Sequence, residues 1–138
     1  MKIKLLKDGA KPPQKARVGD AGFDLYSPID LELLPGTITQ VKLGITIEIN
    51  VDEVAITSER SGMALRSWID SIGNVIDSNY RGEISIILRN YQSKPYQIMA
   101  GDRIGQLLIL RLGDQSLKVV DALTETDRGA QNHGSSGK

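Results

Sequence analysis

Gly73-Asn-Val-Ile-Asp-Ser-Asn-Tyr-Arg-Gly-Glu83 sets one acid, Asp77, between an apolar pair and an aromatic ring. Val75 and Ile76 have strand character, and Ser78-Asn79 is turn chemistry. Alternation resumes through Ile84, Ile86 and Leu88, so the stretch predicts a β-hairpin with a carboxylate at its bend. An acid at the mouth of an apolar hairpin can hold a water and take its proton. A turn aspartate that caps its own backbone has the same local sequence. Residues elsewhere in the chain have to separate the two.

On either side of this stretch the chain reads as short strands punctuated by turns, with almost no helical period. Strands are predicted over 2–6, 21–26 and 31–34, the last ending at Pro35-Gly36. Thr39, Val41 and Leu43 then share one face, Gly44 breaks the run, and Ile45, Ile47 and Ile49 alternate with Thr46 and Glu48. Further strands are expected over 54–57, 84–90, 96–98, 103–112 and 117–120, and one short helix over 61–68. Strands at this spacing argue for an all-β sandwich or barrel rather than a βαβ fold. Residues 1–123 form one domain in this reading. Residues 124–138 are polar and Gly-rich without core residues, and are expected as a flexible C-terminal arm.

Composition removes several functions. At 138 residues the chain fits one domain with a real core. Seventeen basic and 17 acidic residues cancel, so no bulk pull toward nucleic acid or membrane is expected. Absence of cysteine rules out disulfides and thiolate zinc sites and fits a reducing interior. The single histidine, His133, cannot build a His-based metal site, so a metal here is expected to be a hard ion such as Mg²⁺, held by oxygen and by substrate phosphates. Met1-Lys-Ile-Lys-Leu-Leu-Lys is too short and too charged for a leader or a span, and a cytoplasmic location is expected.

Four further segments carry chemistry. Ala21-Gly-Phe-Asp-Leu25 puts an acid between apolar residues of a strand. Glu59-Arg-Ser-Gly-Met-Ala64 opens the short helix, where Arg60, Ser61 and free N–H groups make an anion site. Gly101-Asp-Arg-Ile-Gly-Gln-Leu107 opens a strand and carries the amide of Gln106. Asp127-Arg-Gly-Ala-Gln-Asn-His-Gly-Ser-Ser-Gly137 holds a cation, a ring, glycines and two hydroxyls. Each has a plain alternative: a loop cap at Asp24, a surface ion pair at Arg60, an edge amide at Gln106, a linker at the end.

Together and in this order, the segments resemble the five motifs of the trimeric deoxyuridine triphosphate nucleotidohydrolases (dUTPases), from Ala21 to Gly137. Ala21–Leu25, Arg60-Ser61-Gly62, Ile76–Tyr80 and Gly101–Ile104 match the first four, and Arg128-Gly129 with Gly134-Ser135 match the start and end of the last. The resemblance implies a jelly-roll-like distorted β-barrel, a homotrimer with active sites shared between subunits, and Mg²⁺-dependent hydrolysis of dUTP to dUMP and pyrophosphate. Such an activity keeps uracil out of DNA and supplies dUMP for thymidylate synthesis. It further implies that Asp77 activates the attacking water and that backbone around Val75 and Ile76 contacts the uracil. Mispaired buried polar groups would then reject cytosine, at roughly 1–3 kcal/mol each. Tyr80 lies against the sugar in this scheme, Arg60, Ser61 and Gln106 hold phosphates, and Asp24 acts on water bound to a metal that the phosphates carry. Arg128, Ser135 and Ser136 close on the γ-phosphate, and Gly62 and Gly134 also bind substrate.

Departures from the family pattern are few. Glu59 stands where proline is usual, Asn74 where glycine is frequent, Asn79 where aspartate is frequent, and Ser71 where many members have an asparagine near the base. His133 falls where many have a phenylalanine stacked on uracil, and an imidazole can stack too. The nearest rival is a dCTP deaminase of the same fold, which places a glutamate where this chain has Ile87, and isoleucine cannot shuttle protons. A zinc deaminase lacks its ligands here. A non-catalytic nucleotide-binding regulator is a third class, opposed by retention of Asp77, Arg60 and Arg128.

Overall fold

The structure, a computed structural model, describes residues 1–127 and 129–130. Alternating apolar residues generate eleven strands among them: β1 (Lys2–Leu5), β2 (Phe23–Tyr26), β3 (Leu31–Leu33), β4 (Ile38–Lys42), β5 (Ile45–Glu48), β6 (Glu53–Ser58), β7 (Ile69–Ile72), β8 (Val75–Ile76), β9 (Ser85–Asn90), β10 (Tyr96–Ile98) and β11 (Arg103–Arg111). The one helix, α1 (Ser61–Ser67), ends where Trp68 turns into a left-handed conformation at φ 51° and ψ 37°. Every strand pairing is antiparallel. The strand order β2-β11-β6-β8 makes one sheet and β4-β9-β7 another, with the pairs β1-β5 and β10-β3 closing the flanks. This is the expected all-β, jelly-roll-like barrel.

One face of each strand fills the interior. Leu25, Leu33, Val41, Leu43, Ile45, Ile47, Ala55, Ile69, Ile84, Ile86, Leu88, Ile98, Ile104 and Leu107 are buried there. At about 25 cal/mol per Å² of apolar area, that core is what orders the strands. Ser27, Thr57, Ser71 and Asn90 are the buried polar residues among those described, and Asn90 Nδ2 donates to the carbonyls of Leu33 and Lys94 at 2.9 and 3.0 Å. Its hydrogen-bonding capacity is met, so burial costs little.

The hairpin expected around Asp77 is a different object. β8 pairs with β6, Ala55 opposite Ile76 and Ile56 opposite Val75, while β9 pairs with β4 and β7. The chain therefore crosses from one sheet to the other between Asp77 and Ile84. A turn closes at Tyr80, whose N–H donates to the Asp77 carbonyl at 3.1 Å, and Ile84 then joins Ile45 and Leu43 through backbone bonds. Local alternation shows that two segments are strands; it does not show which edge each will satisfy. β7 is an element that the sequence reading missed, because Asp70 and Ser71 interrupt its apolar run.

The strand expected over 117–120 is absent. Residues 112–120 form no strand, and Leu117 and Val119 are exposed. The apolar alternation is there, but no sheet edge of the described residues meets it, and an unpaired segment gains nothing from extension.

Gly105 sets the geometry of β11 where it matters for the site. A register shift falls between Arg103 and Gly105 in the pairing with β2. A Cβ at Gly105 would collide with Ile86 Cδ1, which is fully buried, and would sit 3.0 Å from the Ser58 carbonyl oxygen. Gly105→Ala is expected to lower stability by about 2 kcal/mol through overpacking, read as a shift in the urea midpoint at unchanged m-value.

Candidate active site

The pairing register assembles one cluster of polar groups. Gln106 of β11 stands opposite Asp24 of β2 and opposite Ser58 of β6, so the three side chains share one face of the sheet. Just past Ser58 the chain turns through Glu59 and Arg60 into α1, bringing Arg60 and Ser61 to the same end. A pocket of about 320 Å³ opens there, lined by Asp24, Arg60, Ser61, Gly62, Arg103 and Gln106 among others. Gln106 fits because its partner across the pocket is Gly22, where a Cβ would meet Oε1 at 2.6 Å. Its Nε2 donates to the Glu59 carbonyl at 3.1 Å.

Asp24 organises the charges. Arg60 Nε lies 3.4 Å from its Oδ1 and Arg103 Nη1 lies 3.2 Å from its Oδ2. The carboxylate is largely buried, at 15% exposure, while the arginines are more open. Asp24 holds the two guanidiniums in place, with Asp20 also on the rim, and leaves a donor-rich wall where their remaining N–H groups can meet an anion. Arg103 was not singled out from the sequence, although it lies inside the quoted Gly101–Ile104 segment; its register opposite Tyr26 is what carries it to Asp24. At the start of α1 Arg60 is extended, at φ −95° and ψ 125°, and no side chain caps the helix.

Asp77 sits in a second pocket, of about 210 Å³, lined by Gly73, Val75, Ile76, Asp77, Tyr80, Ile84 and Ser85. β8 is the edge of its sheet, so on the side away from β6 its backbone N–H and C=O groups have no strand partner and face this pocket. Asp77 is exposed, and its carboxylate makes no hydrogen bond or ion pair among the described residues. The turn uses its main-chain carbonyl, so the carboxylate is not spent on capping. Arg81 braces that turn, its Nη1 donating to the carbonyls of Ser78 at 2.7 Å and Tyr80 at 2.9 Å. The Tyr80 ring packs over Gly82, its hydroxyl bonded to the Glu83 carbonyl at 3.2 Å, and the Glu83 carboxylate in turn accepts the Gly44 N–H at 2.8 Å. Arg81 and Glu83 therefore belong to the site's support, and only the tertiary contacts reveal it.

These two pockets share no lining residue. Asp77 lies beside Val54 and Arg60 lies beyond Ser58 on the other end of β6, about 20 Å apart at 3.3 Å per residue. Ser71 lines neither pocket: it is buried, and its hydroxyl donates to Glu59 Oε2 at 3.4 Å. Asn74 also turns away, its Oδ1 accepting the Thr57 hydroxyl at 3.3 Å. Arg128, His133, Gly134, Ser135 and Ser136 lie outside the described residues. Among the described residues no three His, Cys, Asp or Glu side chains gather as a metal cage, and no helix is long and apolar enough to cross a membrane.

Comparison with known proteins adds to this geometry. The chain is 40% identical over 140 residues to a deoxyuridine 5'-triphosphate nucleotidohydrolase of Clostridium tetani, covering 100% of this chain and 97% of that protein. A cowpox virus protein of the same name is 40% identical over 128 residues, covering 93% and 86% of the two chains. Among solved structures, a mutant dUTPase of Staphylococcus bacteriophage 80alpha with dUpNHpp superimposes at a TM-score of 0.93, with 25% identity over 99% of this chain and 98% of that one. A mutant dUTPase from phage phi11 of S. aureus, in a structure concerned with coordination of a structural Mg(II) ion, shares the fold at a TM-score of 0.84 and 23% identity, covering 90% and 98%. The dUTPase family profile matches residues 8–137, and with it the chain belongs to the dUTPase family.

Proposed function

We propose that this chain hydrolyses dUTP to dUMP and pyrophosphate at a site built from two copies or more, with Asp77 as general base. The observation that carries the reading is an unspent carboxylate in a pocket walled by an unpaired strand edge. Backbone groups alternate sides along β8, so Asn74 and Ile76 bond β6 while the N–H and C=O of Val75 face away and can read the edge of a uracil, where cytosine would leave buried polar groups mispaired. Tyr80 lies in the same pocket, so the sugar and the α-phosphate come nearest Asp77. Asp77 takes a proton from a water, the water oxygen attacks the α-phosphorus, and the bond to the bridging oxygen breaks with pyrophosphate as leaving group.

The donor-rich wall of Arg60, Ser61, Gly62, Gln106 and Arg103 suits the departing phosphates. In one chain it lies too far from Asp77 to touch the same triphosphate, which supports completion of each site by a neighbouring subunit in a homotrimer. Leu117, Val119 and Leu123 are strongly exposed in the single chain and would be covered in such an assembly. The donor set fits Mg²⁺ only as a passenger: Asp20 already takes the Arg17 N–H and Asp24 already faces two arginines, so neither would hold a bare ion, but Asp24 can bond water on one that the phosphates carry. When bound, Mg²⁺ neutralises phosphate charge. Arg128, His133, Gly134, Ser135 and Ser136 complete the site from the arm of residues 124–138, which extended spans about 45 Å.

Incubation with dUTP, dCTP, dTTP and UTP plus Mg²⁺, following pyrophosphate and ammonia, tests the reading. Pyrophosphate from dUTP alone supports it. Ammonia from dCTP would favour deamination, and binding without products would favour a regulator. Sugar and base discrimination should also separate. The Tyr80 ring is preordered by its bond to Glu83, so Tyr80→Ala is expected to narrow the preference for dUTP over UTP by roughly tenfold while rejection of dCTP stays, as the β8 edge is untouched. Collapse of both preferences together would mean that the pocket itself had unfolded.

A further inference from the structure

A run of polar contacts leads from the phosphate pocket to the edge of β8, and it passes through three positions where this chain departs from the family pattern. Gln106 Nε2 bonds the Glu59 carbonyl at 3.1 Å. The Glu59 carboxylate accepts, at Oε2, the hydroxyls of Ser58 at 3.3 Å and Ser71 at 3.4 Å. The Ser71 carbonyl accepts Asn74 Nδ2 at 3.5 Å, and Asn74 Oδ1 accepts the Thr57 hydroxyl at 3.3 Å. Asn74 is also pinned through its own carbonyl, which takes the Thr57 N–H at 2.9 Å.

Neither proline at position 59 nor glycine at 74 could make these side-chain contacts, since neither carries a polar side chain. Each contact is long and weak alone. Jointly they tie the ends of β6 and β7 to the residue that leads into Val75. Ser71 explains the linkage, because its hydroxyl is buried and Glu59 is the acceptor it uses; removing that acceptor leaves a buried donor unpaired.

We infer that Glu59, Ser71 and Asn74 act as one positioning unit that holds the β8 edge where it reads the base. This rests on the dUTP reading above. None of the three lines the pocket of Asp77, so the unit acts on how the nucleotide seats and not on the proton transfer. The effect should therefore fall on KM and on base discrimination, with kcat largely spared. Glu59 and Asn74 are linked through Ser71 and through the adjacent Thr57 and Ser58 of β6, so their substitutions should be less than additive.

The experiment is steady-state kinetics on dUTP and dCTP for the full-length protein and its Glu59→Ala, Glu59→Gln, Asn74→Ala and Glu59→Ala/Asn74→Ala variants, with urea midpoints as a fold check. Glu59→Ala and Asn74→Ala should each raise KM for dUTP roughly three- to tenfold, the size of one ordinary hydrogen bond, with kcat within about twofold. Both should narrow the dUTP preference over dCTP. Glu59→Gln keeps an oxygen acceptor for both hydroxyls and should restore KM to within about twofold of the parent. The double variant should be little worse than the poorer single one. Unchanged KM in Glu59→Ala, a fall confined to kcat, fully additive losses, or a Glu59→Gln variant as impaired as Glu59→Ala each overturn the inference while the parent still cleaves dUTP. A parent that cleaves no dUTP overturns the functional reading and this unit's role with it.

Discussion

Asp77→Asn protein should bind dUTP about as tightly as the parent and turn it over roughly 10²–10⁴-fold more slowly, the range spanned by loss of a general base. The amide keeps the shape of the side chain but cannot accept the water's proton. Because the turn is closed by the Asp77 carbonyl and braced by Arg81, the substitution leaves the local backbone as it was. Calorimetric titration with a non-hydrolysable dUTP analogue would show the retained affinity, and pyrophosphate release the lost rate. Appreciable dUTP hydrolysis by this variant would remove Asp77 from the role of base.

Truncation before Asp127 should leave a folded assembly with turnover reduced by about 10²-fold or more, since a missing positively charged closing group and freer water both act on the transition state. The described fold does not depend on the removed residues: the last strand ends at Arg111, and every buried core residue precedes Leu112. Mixing truncated subunits with full-length Asp77→Asn subunits discriminates between two arrangements. If the arm serves a neighbour's site, an intact Asp77 on a truncated subunit can be completed by an arm from the mutant subunit, and part of the activity returns. If mixed assemblies form and stay inactive, the arm serves the subunit it belongs to. Size-exclusion chromatography with differently tagged subunits establishes that mixing occurred.

The same experiment bears on the separation of Asp77 from Arg60 along β6. That separation follows from the pairing of β8 with β6, which local sequence could not reveal. Val75-Ile76 and Ile84 through Leu88 were legible as strands, and a turn between them was legible at Ser78-Asn79. Their mutual pairing was the economical guess, as a short loop makes the nearest edge the first available. Instead β8 completes an edge of β6, nineteen residues upstream at the Ile56–Val75 contact, and leaves its other edge unpaired.

Ser71 shows the same limit on the scale of one side chain. The resemblance puts it near the base, yet on β7 it alternates inward with Ile69, so the hydroxyl enters the interior and meets Glu59. Strand alternation could have shown this had β7 been recognised.

What the sequence by itself determined is most of the strands, though not β7 or the absence of one over 117–120, the side of each that is apolar, the order of the chemical groups, and Asp77 as the one acid at the bend. Periodicity and residue type act locally, and those features are local. Only the tertiary structure decided which edges pair, that Asp24 holds both Arg60 and Arg103 from far along the chain, that the β8 edge stays open, and that Asp77 and the pocket of Asp24 are kept apart. Backbone donors and acceptors are the same for every residue but proline, so strand pairing is chosen by how the whole set of apolar faces closes on one core, and no short stretch carries that information.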